Sequence, residues 1–412
     1  MAMHFSPDVV SNGLILNLDV NSVRSYAGPP IQNMADIINP NGVTDTNIQY
    51  TTGFEEVTVP TLGKIPSVPF VDGYNSNSSS YCCMQQFYFR SNNGFVTCSG
   101  STTYTYSIVY KVTSGYTHPN FMYRYEFTSG GSYLGEAGVH DDAKRVHLGN
   151  GWYWAWNTFT TNASAAQLYL RCFYYQYNVS DRFYVARVLV TPGDYTTYHP
   201  RLWPALGTTR GTTEVLRDST RGNTVTVGGP LTYGTDKITV PNTNDASISV
   251  SPSTNFRTVT QDFTISCWIK QLDSGIHLIT EARDSSTLQG YLFALNIPSA
   301  GYVGVFLNKS SGQVPYYTTV GTLPVGSVQN IVAVVKRSNS TIEIYANGAL
   351  FDTITGIHSD SISGLGDMYR IGYDRGGATT NMELYSYMHY NRALSLAEIQ
   401  QNFNAHKGRY GL

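Results

Sequence analysis

Short runs of β-branched and aromatic residues, each closed by Gly, Pro, Asn or Ser, recur along this chain: VTQDFTISCWIK (259–270), YVGVFLN (302–308), NIVAVVKR (330–337), TIEIYANGALFDTI (341–354) and RFYVARVLVTP (182–192). Side chains of this kind suit the pleated, half-buried surface of a strand. Many short strands without helices between them pack as a sandwich or barrel, so the expected fold class is all-β, built from antiparallel β-sandwich (jelly-roll) domains.

Two local signals are sharper. Asn347-Gly348 separates TIEIY from ALFDTI, and a two-residue type I′ turn needs positive φ at both central positions, which Asn-Gly tolerates best. At the C-terminus Ser395 and Glu398 form a capping box, Leu394 and Ile399 can staple the first turn, and Leu396, Ile399 and Phe403 share a face before Gly408. That pattern predicts one short α-helix packed on a sheet. Between them in character, GWYWAWNTFTTNASAAQLYLRCFYYQY (151–177) alternates wide aromatics with smaller residues and reads as two more strands, with Pro200 and Pro204 breaking the chain soon after.

The chain has 412 residues, more than one hydrophobic core usually serves, which predicts two domains or one sandwich with a large insertion. Charged residues are only 13%, about half the roughly 25% of an ordinary globular protein, and 32 Tyr with many Ser, Thr, Asn and Gly supply polarity instead. A net charge of -2 without a Lys/Arg run gives no field to draw in phosphates or anionic lipid, so no nucleic-acid or membrane partner is expected. Cys82, Cys83, Cys98, Cys172 and Cys267 fit neither a dense disulfide framework nor a paired CxxC metal site, and read as mostly buried thiols. The opening MAMHFSPDVVSNG lacks a basic stretch followed by an apolar one, so synthesis in a cytoplasm without secretion is the expectation.

FTISCWIK (263–270), IVAVVKR (331–337), IEIYANG (342–348), YRIGYD (369–374) and YNRALSLAEIQQNF (390–403), in that order and spacing, resemble a concanavalin A-like, laminin-G-like lectin sandwich of the kind attached to phage and bacterial surface proteins. NGLILNLDVNSVRSY (12–26) resembles the opening strand of that family in phage proteins, where a segment like VLRDSTRGNTVTVGG normally follows within a few residues; here it comes only at 215–229. The stretch between resembles a carbohydrate-binding-module-like jelly roll, through YTYSIVYKV (104–112), WAWNTFT (154–160) and FYVARVLVTPGDYTTYHP (183–200). The expected organisation is therefore a discontinuous lectin-like sandwich, residues 1–32 and 204–412, carrying an inserted jelly roll, 33–203; two consecutive domains meeting near Pro204 is the alternative. In the insertion arrangement the 12–26 segment pairs with strands beyond residue 204.

A glucanase on such a sandwich needs carboxylates alternating along one strand, as in E-x-D-x-x-E, so that acid and nucleophile face one cleft. The nearest candidate, Glu343, has no acidic partner two residues away and reads as a surface strand residue. HExxH, G-x-S-x-G and P-loop patterns are absent, so no catalytic residue is assigned and an enzyme is not expected. The nine His lack metal-ligand spacing, and the best local cluster, His140 with Asp141 and Asp142, reads equally well as a solvated loop. No cofactor and no metal site are assigned; Asp284 and Asp374 could serve Ca²⁺ only if neighbouring loops converged, and read first as turn formers.

Sugar binding calls for aromatic faces with nearby amides, carboxylates or hydroxyls. Trp152, Trp154 and Trp156 sit two apart and so share one face of a strand, which for at least two of them is expected to be the core. The exposed remainder, beside Tyr174, Tyr175 or Tyr177, forms the candidate carbohydrate site. The phage-like opening and the missing active site point to a virion protein, a decoration, fibre or whisker-like appendage on the outer surface. Its expected partners are other virion proteins and host surface glycans. A homo-oligomer, for example a trimer, is expected, since phage appendages are usually symmetric oligomers and Tyr supplies large contact area at low rotamer cost. A dedicated receptor-binding adhesin and a glycan depolymerase are the competing readings.

Overall fold

The structure is a computed structural model that describes the chain from Val9 to Leu412, apart from residues 21, 23–24, 28–32, 34–38, 43–47, 76–82, 89–94, 114–122, 139–143, 177–180, 197–198, 205–208, 244–245, 257–259, 285–286, 310–311, 363–367 and 374–379. It is mostly antiparallel β-structure with one short α-helix, as the strand pattern requires. The chain forms two compact units, Met1–Pro29 with Gly211–Leu412, and Pro30–Arg210.

In the first unit an eight-stranded sheet runs Thr232–Tyr233, Ile238–Val240, Met382–Tyr390, Phe263–Gln271, Val328–Lys336, Thr341–Ala346, Ala349–Thr355. Leu14–Asp19 also pairs with Met382–Tyr390, Asn17 opposite Met388. The facing seven-stranded sheet runs Thr224–Gly228, Ser247–Ser251, Met368–Ile371, His277–Arg283, Gly290–Leu295, Val303–Asn308, Pro315–Tyr317. Where the chain leaves this unit and returns to it, the two segments are stitched together. Ala27 N donates to Val215 O (2.9 Å), Arg217 N to Ser25 O (2.6 Å), and Asp218 Oδ1 accepts from Asn17 N (3.1 Å). Ends held this close let a long intervening segment be accommodated at small closure entropy.

Between these sheets lies a polar chain inside an aromatic core. Thr280 Oγ1 meets the Tyr387 hydroxyl (2.6 Å), Tyr387 meets Tyr369 (2.5 Å), and Tyr369 meets His389 Nδ1 (2.8 Å), with Phe256, Phe263 and Tyr291 packed around the imidazole. On the outer face of the eight-stranded sheet the helix Leu396–His406 covers Trp268, whose ring stacks on Phe403 (5.6 Å, 4°) and contacts Tyr410 (4.7 Å). Every residue of Met382–Tyr390 is therefore buried, covered on one face by the facing sheet and on the other by the helix.

The Asn347-Gly348 turn has φ of 49° and 77°, the double positive that type I′ demands. Ser395 and Glu398 form both hydrogen bonds of the capping box, and Leu394 and Ile399 are buried in one cluster. One helix expectation is corrected: Leu396 is 48% exposed, and the buried face is Ile399, Asn402, Ala405 and His406. Asn402 is buried because its amide donates to the Tyr390 hydroxyl (3.0 Å) and accepts from Val10 N (2.8 Å). Of the thiols, Cys267 is buried and Cys98 is half-buried, with burial and the nearby Glu126 pushing its pKa up to about 11.

The second unit packs two six-stranded sheets. One runs Arg145–Gly149, Trp152–Thr160, Thr103–Val112, Asp181–Pro192, Gly63–Asn75, Ile48–Val59. The other contains Asn39–Gly42, Cys83–Tyr88, Gln167–Gln176, Tyr123–Phe127 and Tyr133–Gly138, with Phe95–Thr97 paired to Gln167–Gln176. Tyr104, Tyr106, Ile108, Tyr110, Phe183 and Val185 fill the interior against Leu168 and Leu170. Arg187 donates to the carbonyls of Pro200 (2.7 Å) and Trp203 (3.2 Å) and fastens that turn to the unit's first sheet.

Candidate functional site

Strand alternation sends Tyr153, Ala155 and Phe159 toward the interior and Trp152, Trp154 and Trp156 to the opposite, outer face of the first six-stranded sheet. That outer face is apolar as well. Val59, Val68, Val109, Tyr184, Ala186, Leu189 and Trp203 are buried on it. Part of it is roofed by the chain after Pro192. Trp203 is buried there, His199 meets Trp154 edge-on (5.8 Å), and Trp154 Nε1 donates to Ser107 Oγ (2.8 Å). Burial pulls the Arg187 pKa below its ordinary value at this roof.

Trp152 and Trp154 are thus core residues, 2% and 8% exposed, and offer a ligand no ring face. Trp156 is half-buried, tilted against Trp154 with ring centroids 4.4 Å apart. Tyr174 and Tyr175 belong to the Gln167–Gln176 strand, in the other sheet, so their strand is not the one that carries the tryptophans; their side chains and all of Tyr177 lie outside the described residues.

Beyond the roof, the same face carries a cross-strand row that the sequence did not single out. Trp152 is opposite Lys111, Lys111 opposite Tyr184, Tyr184 opposite Phe70, and Phe70 opposite Gly53. Gly53 is required here: a Cβ would sit 2.6 Å from Phe70 Cζ, so only a bare backbone lets the phenyl ring lie across the outer strand. Over that ring the Arg182 guanidinium stacks at 4.0 Å. Arg182 Nε (2.9 Å) and Nη2 (2.5 Å) donate to Asp72 Oδ2, and Nη1 donates to Glu55 Oε2 (2.9 Å). The Tyr184 hydroxyl donates to Glu55 Oε1 (2.6 Å); desolvation first and the Glu55 carboxylate next raise its pKa.

The result is a preset surface on which two partly exposed rings, Phe70 and Trp156, and hydrogen-bonding groups sit side by side, with Tyr184 buried between the strands' side chains. Arg182, Glu55 and Asp72 keep 31%, 39% and 29% of their side-chain area in contact with solvent. Lys111 is half-buried and forms no ion pair among the described residues. Such a surface can stack one face of a pyranose and accept or donate to its hydroxyls. Hydrolysis asks for more, one carboxyl as proton donor and one as base or nucleophile. Here one guanidinium binds both Glu55 and Asp72, which places them in the same acceptor role.

The other sequence candidates fall elsewhere. Glu343 is half-buried, paired with Lys336 and accepting from the Tyr345 hydroxyl (2.7 Å). Asp284 accepts from Thr287 N (2.7 Å) and Oγ1 (3.0 Å), as a turn former does. His140, Asp141, Asp142 and Asp374 lie outside the described residues, among which no group of three or more His, Cys, Asp or Glu converges.

Residues 242–400 match a family model described as the concanavalin A-like lectin/glucanases superfamily. No curated protein matches. Among solved structures, the chain is similar to the binding domain of Paraclostridial mosquitocidal protein 1 (18% identity, TM-score 0.37, 46% of this chain and 49% of that one). It is similar also to the botulinum neurotoxin serotype G binding domain (14%, 0.40, 46% and 48%). A third is the serotype D ligand-binding domain, solved in complex with N-acetylneuraminic acid (14%, 0.36, 47% and 48%). The chain spans about half the length of these structures.

Proposed function

We propose that this chain is a non-enzymatic attachment protein on the outside of a phage particle, a trimer whose lectin-like unit contacts other virion proteins and whose 30–210 unit is an inserted, carbohydrate-binding-module-like jelly roll that holds host surface glycans. The observation that carries the glycan reading is the partly open sheet face, where Trp156, Tyr184 and Phe70 lie beside Lys111 and the Arg182–Glu55–Asp72 cluster. The lectin-type match over 242–400 supports a role in binding, as does the engagement of both acidic groups on that face by Arg182. The phage-like 12–26 segment supports the virion setting.

The test is titration of the intact protein with host cell-surface polysaccharide. Trp156→Ala and Lys111→Ala are each expected to weaken binding roughly tenfold, the factor that about 1.4 kcal/mol of stacking or charge contact represents. Absence of binding by the wild-type protein to every host glycan, or full retention in both variants at unchanged melting temperature, would remove the reading. Light scattering on the same samples gives a trimer mass if the assembly proposal holds and a monomer mass if it fails.

A further inference from the structure

Among the described residues, the first six-stranded sheet of the second unit ends on two strands that are paired on one side only, Ile48–Val59 and Arg145–Gly149. Such an edge turns every second N–H and C=O outward, and proteins usually blunt it with Lys, Pro or a covering segment. Ile48–Val59 contains neither Lys nor Pro and keeps an unbroken register with its neighbour from Ile48 to Glu55. It also shows Phe54 to solvent, 61% exposed, beside the exposed Thr52 and Glu56.

The two edges complement each other. All five pairings in this sheet are antiparallel, so across six strands its edges run in opposite directions. A second copy turned about an axis along the strands therefore brings its Arg145–Gly149 strand antiparallel to the first copy's Ile48–Val59, with the same side of the sheet inward. Phe54 and Glu56 lie on that inward side, since Gly53 and Glu55 occupy the outer one. Arg145 and His147 lie there too, opposite Ala155 and Tyr153. Arg145 stands over the Tyr153 ring at 5.3 Å, which holds its guanidinium on this side. One edge carries Glu55 and Glu56 and no Lys or Arg; the other carries Arg145, preceded by Lys144, and no Asp or Glu. Glu56 pairs with Lys64 across its own hairpin at 2.8 Å, but with side chains 56% and 73% exposed that contact is weakly held.

We infer that these edges are the interface between copies of this chain: in the trimer, the Ile48–Val59 strand of each copy is extended by the Arg145–Gly149 strand of the next, and Phe54 and Glu56 meet Arg145 and His147. Unlike edges joined head to tail generate a ring when the rotation closes. Joining like edges would give a dimer and would set Glu55 and Glu56 against their own copies. The inference rests on the trimeric assembly proposed above and locates its contacts.

The experiment is light scattering on the intact protein and its variants at one concentration. The wild type is expected at the trimer mass. Phe54→Lys and Glu56→Lys, both at exposed positions, place a cation on the edge that meets Arg145; each should bring the mass down threefold at unchanged melting temperature. Adding Arg145→Glu to Glu56→Lys reverses both charges and should restore the trimer, which a damaged fold would not do. A wild-type monomer or dimer would overturn the trimer and this interface together. A trimer undiminished in both lysine variants would overturn the interface and leave the trimer standing, and a double variant that stays monomeric would overturn the pairing of these two edges.

Discussion

His389 sits fully buried among Phe256, Phe263 and Tyr291, with Nδ1 on Tyr369 and Nε2 without a partner among the described residues. Desolvation holds its pKa down to about 3, against 6.5 for a free imidazole. Below pH 6.5 the unfolded chain therefore takes up a proton that the folded one refuses, so stability is whole above that value and falls as the pH drops toward 3. One such proton is worth about 1.4 kcal/mol per pH unit, on the order of 4–5 kcal/mol across the window. His406, also buried with its pKa lowered mainly by desolvation, adds in the same direction. Urea unfolding between pH 7 and 5 should show this slope, and His389→Gln, whose amide can still hydrogen-bond Tyr369, should flatten it by about one proton. A variant with the wild-type slope would show that His389 is not the group responsible. No sequence pattern marks this residue: MHYNR reads as the end of a strand, and only the facing sheet makes the imidazole a core group.

At the scale of single elements, the Asn-Gly turn and the capping box were legible because each depends on neighbours a few positions apart. The helix face was legible only in part. Ile399 is buried as its spacing indicates, but Leu396 is not, since the sheet beneath offers Asn402 a hydroxyl at Tyr390 and leaves the first turn at the edge. Packing outweighs capping here. Trp268→Ala, which removes the ring stacked on Phe403 and Tyr410, should cost roughly 3–5 kcal/mol. Ser395→Ala should cost only about 1 kcal/mol, the usual value of an N-cap. Chemical denaturation of the two variants orders them; equal losses would mean that the helix is held by its cap rather than by the sheet. The candidate glycan face was legible only as three tryptophans two apart. Tyr184, Phe70, Arg182, Glu55 and Asp72 join it through strand register, with Arg182 and Asp72 separated by 110 positions, and no local periodicity carries that information.

For the molecule as a whole, the all-β class followed from strand chemistry, while connectivity depended on where Leu14–Asp19 pairs. Its partner, Met382–Tyr390, also pairs with Ile238–Val240 and Phe263–Gln271, so the middle of the eight-stranded sheet is organised around that one strand. A chain truncated after residue 380 should therefore lose the first unit and keep the second, whose sheets lie within Pro30–Arg210. Limited proteolysis should then leave a resistant fragment of about that span, and survival of a folded 211–380 segment would contradict the arrangement. The same pairing sets a timetable for synthesis. Leu14–Asp19 leaves the ribosome roughly 20–70 s before the strand it joins, at elongation rates of about 5–20 residues per second. In that interval the Pro30–Arg210 sandwich can be completed, while an apolar strand waits unpaired for a partner synthesised long after it.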